Sequence, residues 1–139
     1  MIDIENLVYT TIRNALKAYS TDIDVTGTYV DVPSKFPHVS IQETDNATEP
    51  STISTSDREF SAELTYTVNI YTNTATAKSD AKAIAAVVND AFTAIGFVRS
   101  MKQEAPNIDR TITRYIMRFT ATASKAYDGA DGHFNITAR

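Results

Sequence analysis

Apolar residues recur along the first twenty positions at intervals of three and four. Ile4, Leu7, Val8, Ile12, Ala15, Leu16 and Tyr19 fall on one stripe, which predicts an amphipathic helix ending near Tyr19–Ser20. Asp3 is placed to cap its start, and Ile2 with Leu7 fits a hydrophobic staple across that cap. The helical period returns from about Ala77 to Ile95, with Ala81, Ile84, Ala85, Val88, Ala91, Phe92 and Ile95 on the stripe and Gly96 just past its end. Between the helices the period is two. Phe60, Ala62, Leu64, Tyr66, Val68 and Ile70 alternate with Ser61, Glu63, Thr65, Thr67, Asn69 and Tyr71, the pattern of a long half-buried strand.

Shorter extended runs complete the chain. Ile23–Val32, bent at Gly27, and His38–Gln42 predict a hairpin whose connection is broken by Pro33 and Pro37. Phe97–Glu104 and Thr111–Ala123 predict two strands joined by a turn at 105–109. On the second of these Tyr115, Met117, Phe119 and Ala121 share one face, and Arg114, Ile116 and Arg118 the other. Residues 44–57 are half Ser and Thr and read as a long polar loop, either a solvated hairpin tip or a partner-binding arm. Residues 124–139 carry the turn cluster Asp128–Gly132 and a short extended segment, Phe134–Ile136.

Two one-striped helices and alternating strands pack most simply in two layers. The expected fold is a single α+β domain over 1–123, followed by a C-terminal tail over 124–139. In it an antiparallel sheet of four to five strands carries both helices on one face, leaves the other face polar, and bears a long polar hairpin loop.

Composition narrows the chemistry. The chain has 139 residues, 42% of them hydrophobic, enough for a core without metal or disulfide support. With no Cys it has no thiolate nucleophile and no Cys-based zinc site. No apolar run approaches membrane-spanning length, and the N-terminus lacks the basic start and apolar stretch of a signal peptide. These features describe a soluble intracellular domain. A net charge of −4 argues against sequence-independent nucleic-acid binding. The 20 Thr and 10 Ser point to exposed sheet and turns.

Motifs with catalytic spacing are scarce. Ser79-Asp-Ala-Lys82 has Ser-x-x-Lys spacing but sits where the second helix begins, so N-terminal capping explains it better. Asp128–Gly132 lacks the alternating ligands of a calcium loop and reads as a turn. His38 and His133 have no ligand partner nearby in sequence. The sequons at Asn46 and Asn135 carry no meaning without a secretory leader. No catalytic, cofactor or metal site is expected. One charge pattern remains: Arg110, Arg114 and Arg118, spaced by four, fall on one sheet face. They suit solvent and cross-strand partners such as Glu63, an acidic protein surface, or nucleic acid.

The order and spacing of these segments resemble the tail terminator or tail-completion proteins of long-tailed bacteriophages and prophages. The likeness covers about residues 1–123. It rests on the N-terminal helix through Ala18, the run Pro33…Phe36-Pro37-His-Val-Ser-Ile-Gln-Glu43, and Val68-Asn-Ile-Tyr-Thr72. It continues through the Ala-rich helix into Gly96-Phe97 and the strand Asn107–Arg118. The resemblance implies a non-enzymatic homo-oligomer, a hexameric ring at the head-proximal end of the virion tail, assembled in the host bacterial cytoplasm. Such a ring caps the tail tube protein, ends its polymerisation and presents the surface for a head-completion or connector protein. DNA passes through its lumen without specific binding, which an acidic balance favours.

A ring needs two different patches per subunit. One is expected on the strand bearing Arg114 and Arg118. The other is expected among Glu43, Asp45, Glu49, Asp57, Glu59 and Glu63. A head–tail connector of the same machinery is the main alternative. A small ligand- or nucleic-acid-binding domain is a further one, although the aromatic and basic platform it would need is missing.

Overall fold

A computed structural model describes residues 2–48, 61–107, 109–125 and 134–137. The first helix, α1 (Glu5–Tyr19), buries Val8, Ile12 and Leu16. It starts one residue later than the sequence predicts, with Ile4 at the N-cap, although the Asp3 carboxylate still accepts the Glu5 N–H at 3.0 Å. That shift undoes the expected staple. Val8 occupies the inward position, and Leu7 turns to solvent, 48% exposed. Tyr19 is likewise 53% exposed, and Ile2 is buried in the core. Lys17 closes the helix by donating to the Ile23 carbonyl at 2.6 Å.

Among the described residues six strands form one sheet: β1 (Asp24–Thr26), β2 (His38–Thr48), β3 (Ser61–Thr72), β4 (Val98–Ala105), β5 (Thr113–Lys125) and β6 (Phe134–Thr137). Their order is β1-β2-β3-β5-β4, and β6 pairs with the far end of β5. The α+β class, the single domain and the two helices on one sheet face are as expected. All neighbours are antiparallel except β1 and β2, which run parallel where the sequence predicts a hairpin. The reason lies in residues 27–37, which are a crossover and not a turn. They fold over the outer face, where Val30 accepts the Tyr71 hydroxyl at 2.6 Å, and return to the end from which β1 started. The Phe36–Pro37 bond is cis, and the Pro37 carbonyl accepts the Asp24 N–H.

Residues 44–48 also differ from expectation, continuing β2 instead of opening a loop. A register shift between Glu43 and Asp45 bulges out Thr44, whose hydroxyl meets that of Thr67 at 2.9 Å. A strand paired on one side with its side chains in water has loop-like composition, so the hydroxyl run concealed it. The rest of the predicted loop, the Asp128–Gly132 cluster and His133 lie outside the described residues.

The second helix, α2 (Ala77–Ala94), and α1 cover one sheet face. Ala81 and Ala85 let α2 lie close to the strands, and Phe92 inserts between them. Phe92 stacks on Phe119 at 4.2 Å between ring centroids and meets Phe97 edge-on at 5.3 Å. Gly96 ends the helix at φ 98°, and an added Cβ there would lie 2.6 Å from the Ile136 carbonyl oxygen. Thr76, not Ser79, holds the N-cap of α2; the Thr74 and Thr76 hydroxyls donate to Asp80, and Ser79 and Lys82 are exposed.

Candidate assembly surfaces

Alternation along the strands sends two sets of side chains to the face opposite the helices. At the β1 end of that face the crossover covers His38, Ser40, Asn69 and Tyr71, all buried, so this part is not the wet surface that alternation predicts. Beyond the crossover the face is open and rich in hydroxyls. It carries Thr65 and Thr67 on β3, Ile116, Arg118, Thr120 and Thr122 on β5, and Val98, Met101 and Gln103 on β4.

The three arginines do not form the predicted row. Arg110 lies in the turn before β5, so strand alternation does not apply to it. It lines, with Arg114, Glu104, Pro106, Asn107 and Ile112, an open pocket of about 570 Å³ at the β4–β5 turn. Arg114 is a half-buried packing group. Its Nε and Nη2 donate to Asn69 Oδ1 at 3.0 and 2.9 Å, and its guanidinium lies 5.5 Å from the Tyr29 ring centroid and 5.9 Å from that of Tyr71. Burial pushes the Tyr71 phenol up to about 12, with the nearby Arg114 charge acting in the opposite direction. Arg118 alone stands exposed on the open face, opposite Thr67 on β3 and Met101 on β4. The register sets Glu63 opposite Thr122 and Ala47, and opposite no arginine.

The acidic residues divide between two faces. Asp45 and Glu63 belong to the open face. Glu43 belongs to the helix face, near the start of α1. It accepts the Tyr66 hydroxyl and the Asn46 amide, each at 3.3 Å. Burial pushes the Glu43 carboxyl above its usual range and the Glu5 charge adds to this, while the Tyr66 hydrogen bond acts the other way. Burial likewise raises the Tyr66 phenol, and the Glu43 carboxylate beside it adds to the effect. Glu49, Asp57 and Glu59 lie outside the described residues.

One polar cluster escapes sequence reasoning. His38, expected to lack a partner, is held between Asp24 and Thr26: Nδ1 lies 2.9 Å from Asp24 Oδ2, and Nε2 lies 3.1 Å from Thr26 Oγ1. The Asp24 carboxylate can only accept, so Nδ1 carries a proton. Asp24 and His38 are register partners in the parallel pair, so the cluster ties the edge strand to the sheet. The only signal for it in the sequence was the spacing Asp24-x-Thr26, and reading that spacing required the parallel pairing.

No family model and no curated protein matches this sequence. Among solved structures, the fold is shared with a chain in the virion of a native gene transfer agent (GTA) particle. The two are 22% identical with a TM-score of 0.58, over 81% of this chain and 88% of that one.

Proposed function

We propose that this chain is a structural virion protein of a long-tailed phage or phage-like particle, and not an enzyme. The observation that carries this reading is the fold it shares with a chain of a gene transfer agent virion, across most of both chains. Within that class we assign it the role of tail terminator. Copies form a ring, with six as the expected number, that caps the tail tube, ends its growth and presents the surface for the head-joining protein. The open, hydroxyl-rich sheet face and the division of exposed acids and bases between different parts of the molecule support an assembly subunit. Buried His38 is engaged by part-exposed Asp24 and Thr26 across the β1–β2 strand pair, a structural use of the chain's Asp–His–Thr geometry.

The test is electron microscopy of particles produced with and without the protein. Over-long tails in its absence are expected. Finished tails that lack heads would instead assign it to the connector layer, and unchanged particles would refute both roles.

A further inference from the structure

Besides the edges of the short strands β1 and β6, two long strand edges are left open among the described residues, and their charges are opposite. β2 is paired by β1 only over His38–Ser40, so its edge from Ile41 to Ala47 is uncovered by any strand. β4 pairs with β5 alone, so the other edge of Val98–Ala105 is uncovered along its whole length. At about 3.3 Å per residue, each edge runs for roughly 23 to 26 Å. The β2 edge carries Glu43 and Asp45, with Asp3 and Glu5 beside it, and no ion pair among the described residues neutralises any of these four. The β4 edge carries Arg99 and Lys102, held by neutral groups: Arg99 donates to the Asn89 amide oxygen, and Lys102 lies 5.7 Å from the Tyr115 ring centroid. Glu104, the acid of that strand, is engaged by Lys78 at 3.5 Å. Arg118 stands next to Met101 on the same side of the molecule.

We infer that the β2 edge of one subunit pairs with the β4 edge of a second copy of this chain, and that this contact builds the ring. The inference rests on the assembly role proposed above. Strand direction supports it. β2 and β4 run in opposite directions within the sheet, so a neighbour that continues the sheet with the same face outward presents β4 antiparallel to β2. In that arrangement faces match: Glu43 meets Lys102 and Arg99 on the helix side, and Asp45 meets Met101 and Gln103 on the open side. The charges also choose the pairing. β2 against β2 would oppose acid to acid and β4 against β4 base to base, which leaves the heterologous contact, the kind that repeats around a ring. A depression of about 210 Å³ opens beside the β2 edge where β1 stops, lined by Glu5, Asn6, Tyr9, Gly27, Ile41 and Tyr66. It gives a long cationic side chain from the neighbour a place to lie.

The absence of native cysteine makes a direct test clean. Asp45→Cys combined with Gln103→Cys, or with Met101→Cys, places both thiols on the open face. Under mild oxidation we expect disulfide-linked species running beyond the dimer on a non-reducing gel. Asp45→Cys with Lys102→Cys places the thiols on opposite faces and is expected to give at least tenfold less product. Lys102→Glu in the otherwise native chain is expected to raise the concentration for half-assembly at least tenfold by native mass measurement. Assembly without any cross-link would overturn the edge pairing and leave the assembly role standing. Cross-linking that stops at the dimer would overturn the heterologous contact. A monomer at every concentration, alone and with tail tubes, would overturn both.

Discussion

Arg114 shows how far a residue's role can shift between pattern and packing. By spacing it belongs to a basic row facing outward. In the fold, two of its nitrogens converge on the buried Asn69 oxygen while its flat cation lies against Tyr29 and Tyr71. Arg114→Met should therefore destabilise the subunit by about 1–3 kcal/mol in urea unfolding, the cost of leaving that oxygen without a donor. Arg118→Met, at an exposed position, should stay within about 0.5 kcal/mol of the parent. Equal losses at both sites would contradict the packing role.

Glu43 runs the other way. Its carboxyl is pushed up by burial and by Glu5, so the folded subunit binds its proton more tightly than the unfolded chain does. The stability this contributes is present at pH below the unfolded carboxyl range and is lost as pH rises through the elevated folded value. Glu43→Gln keeps an acceptor for Tyr66 and removes the charge. Under dilute conditions it should match the parent near pH 4 and exceed it at pH 7 by less than about 1 kcal/mol, since water still screens the site. The pair of unfolding midpoints at the two pH values checks the sign. If Glu43 also faces a neighbour's Lys102, the same substitution weakens assembly while it strengthens the subunit.

Among the elements, the helices and the central strands were legible because one side of each is dry. Val8, Ile12 and Leu16, or Leu64, Tyr66 and Val68, repeat at the period of the backbone that carries them. What the sequence concealed depends on contacts between distant segments. The crossover at 27–37 owes its path to Tyr71, and the His38 cluster owes its existence to that path. The far half of β2 read as a loop because Thr44, Asp45 and Thr48 stand exposed and its inward side chain is the polar Asn46. Of the candidate surface residues, Arg118 and Asp45 stand exposed on the open face, while Arg110 and Glu43 lie apart from it, because strand order and bulges decide which charges are neighbours.

Two elements give direct tests. Asp24→Ala removes the acceptor of the buried His38 N–H, which predicts a loss of about 1–3 kcal/mol and faster amide exchange in β1 before the rest of the sheet. Gly96→Ala places a methyl group against the Ile136 carbonyl at a backbone angle that disfavours side chains, so about 2 kcal/mol should be lost and β6 should show the earliest exchange. Slow exchange retained in β6 would mean that the chain accommodates the methyl elsewhere.

At the scale of the whole molecule, the described residues give a sheet with one face committed to the helices, one face largely open, and two long uncovered edges of opposite charge. That asymmetry suits repetition of one contact better than a symmetric pair. Glu-substituted Arg99 and Lys102 together should leave the unfolding midpoint within about 0.5 kcal/mol of the parent, because both lie at an exposed edge. The same double change should prevent self-association in native mass spectra. Association that persists at parental strength would exclude this edge from the contact.

The strand ends add a direction to this architecture. β2 closes at Thr48 and β3 opens at Ser61, beside Ser124 of β5 and Asn135 of β6, so the connections 49–60 and 126–133 leave from the same end of the sheet. The opposite end holds Arg110 and the Arg114 pocket between short turns. In the proposed ring the two sides are unlike: one holds the β4–β5 turn with Arg110 and the Arg114 pocket, and the other the strand ends at Thr48, Ser61 and Ser124. Such a ring could be threaded onto a tube in one orientation only, and the side left facing outward would be chemically different from the side the tube had just met.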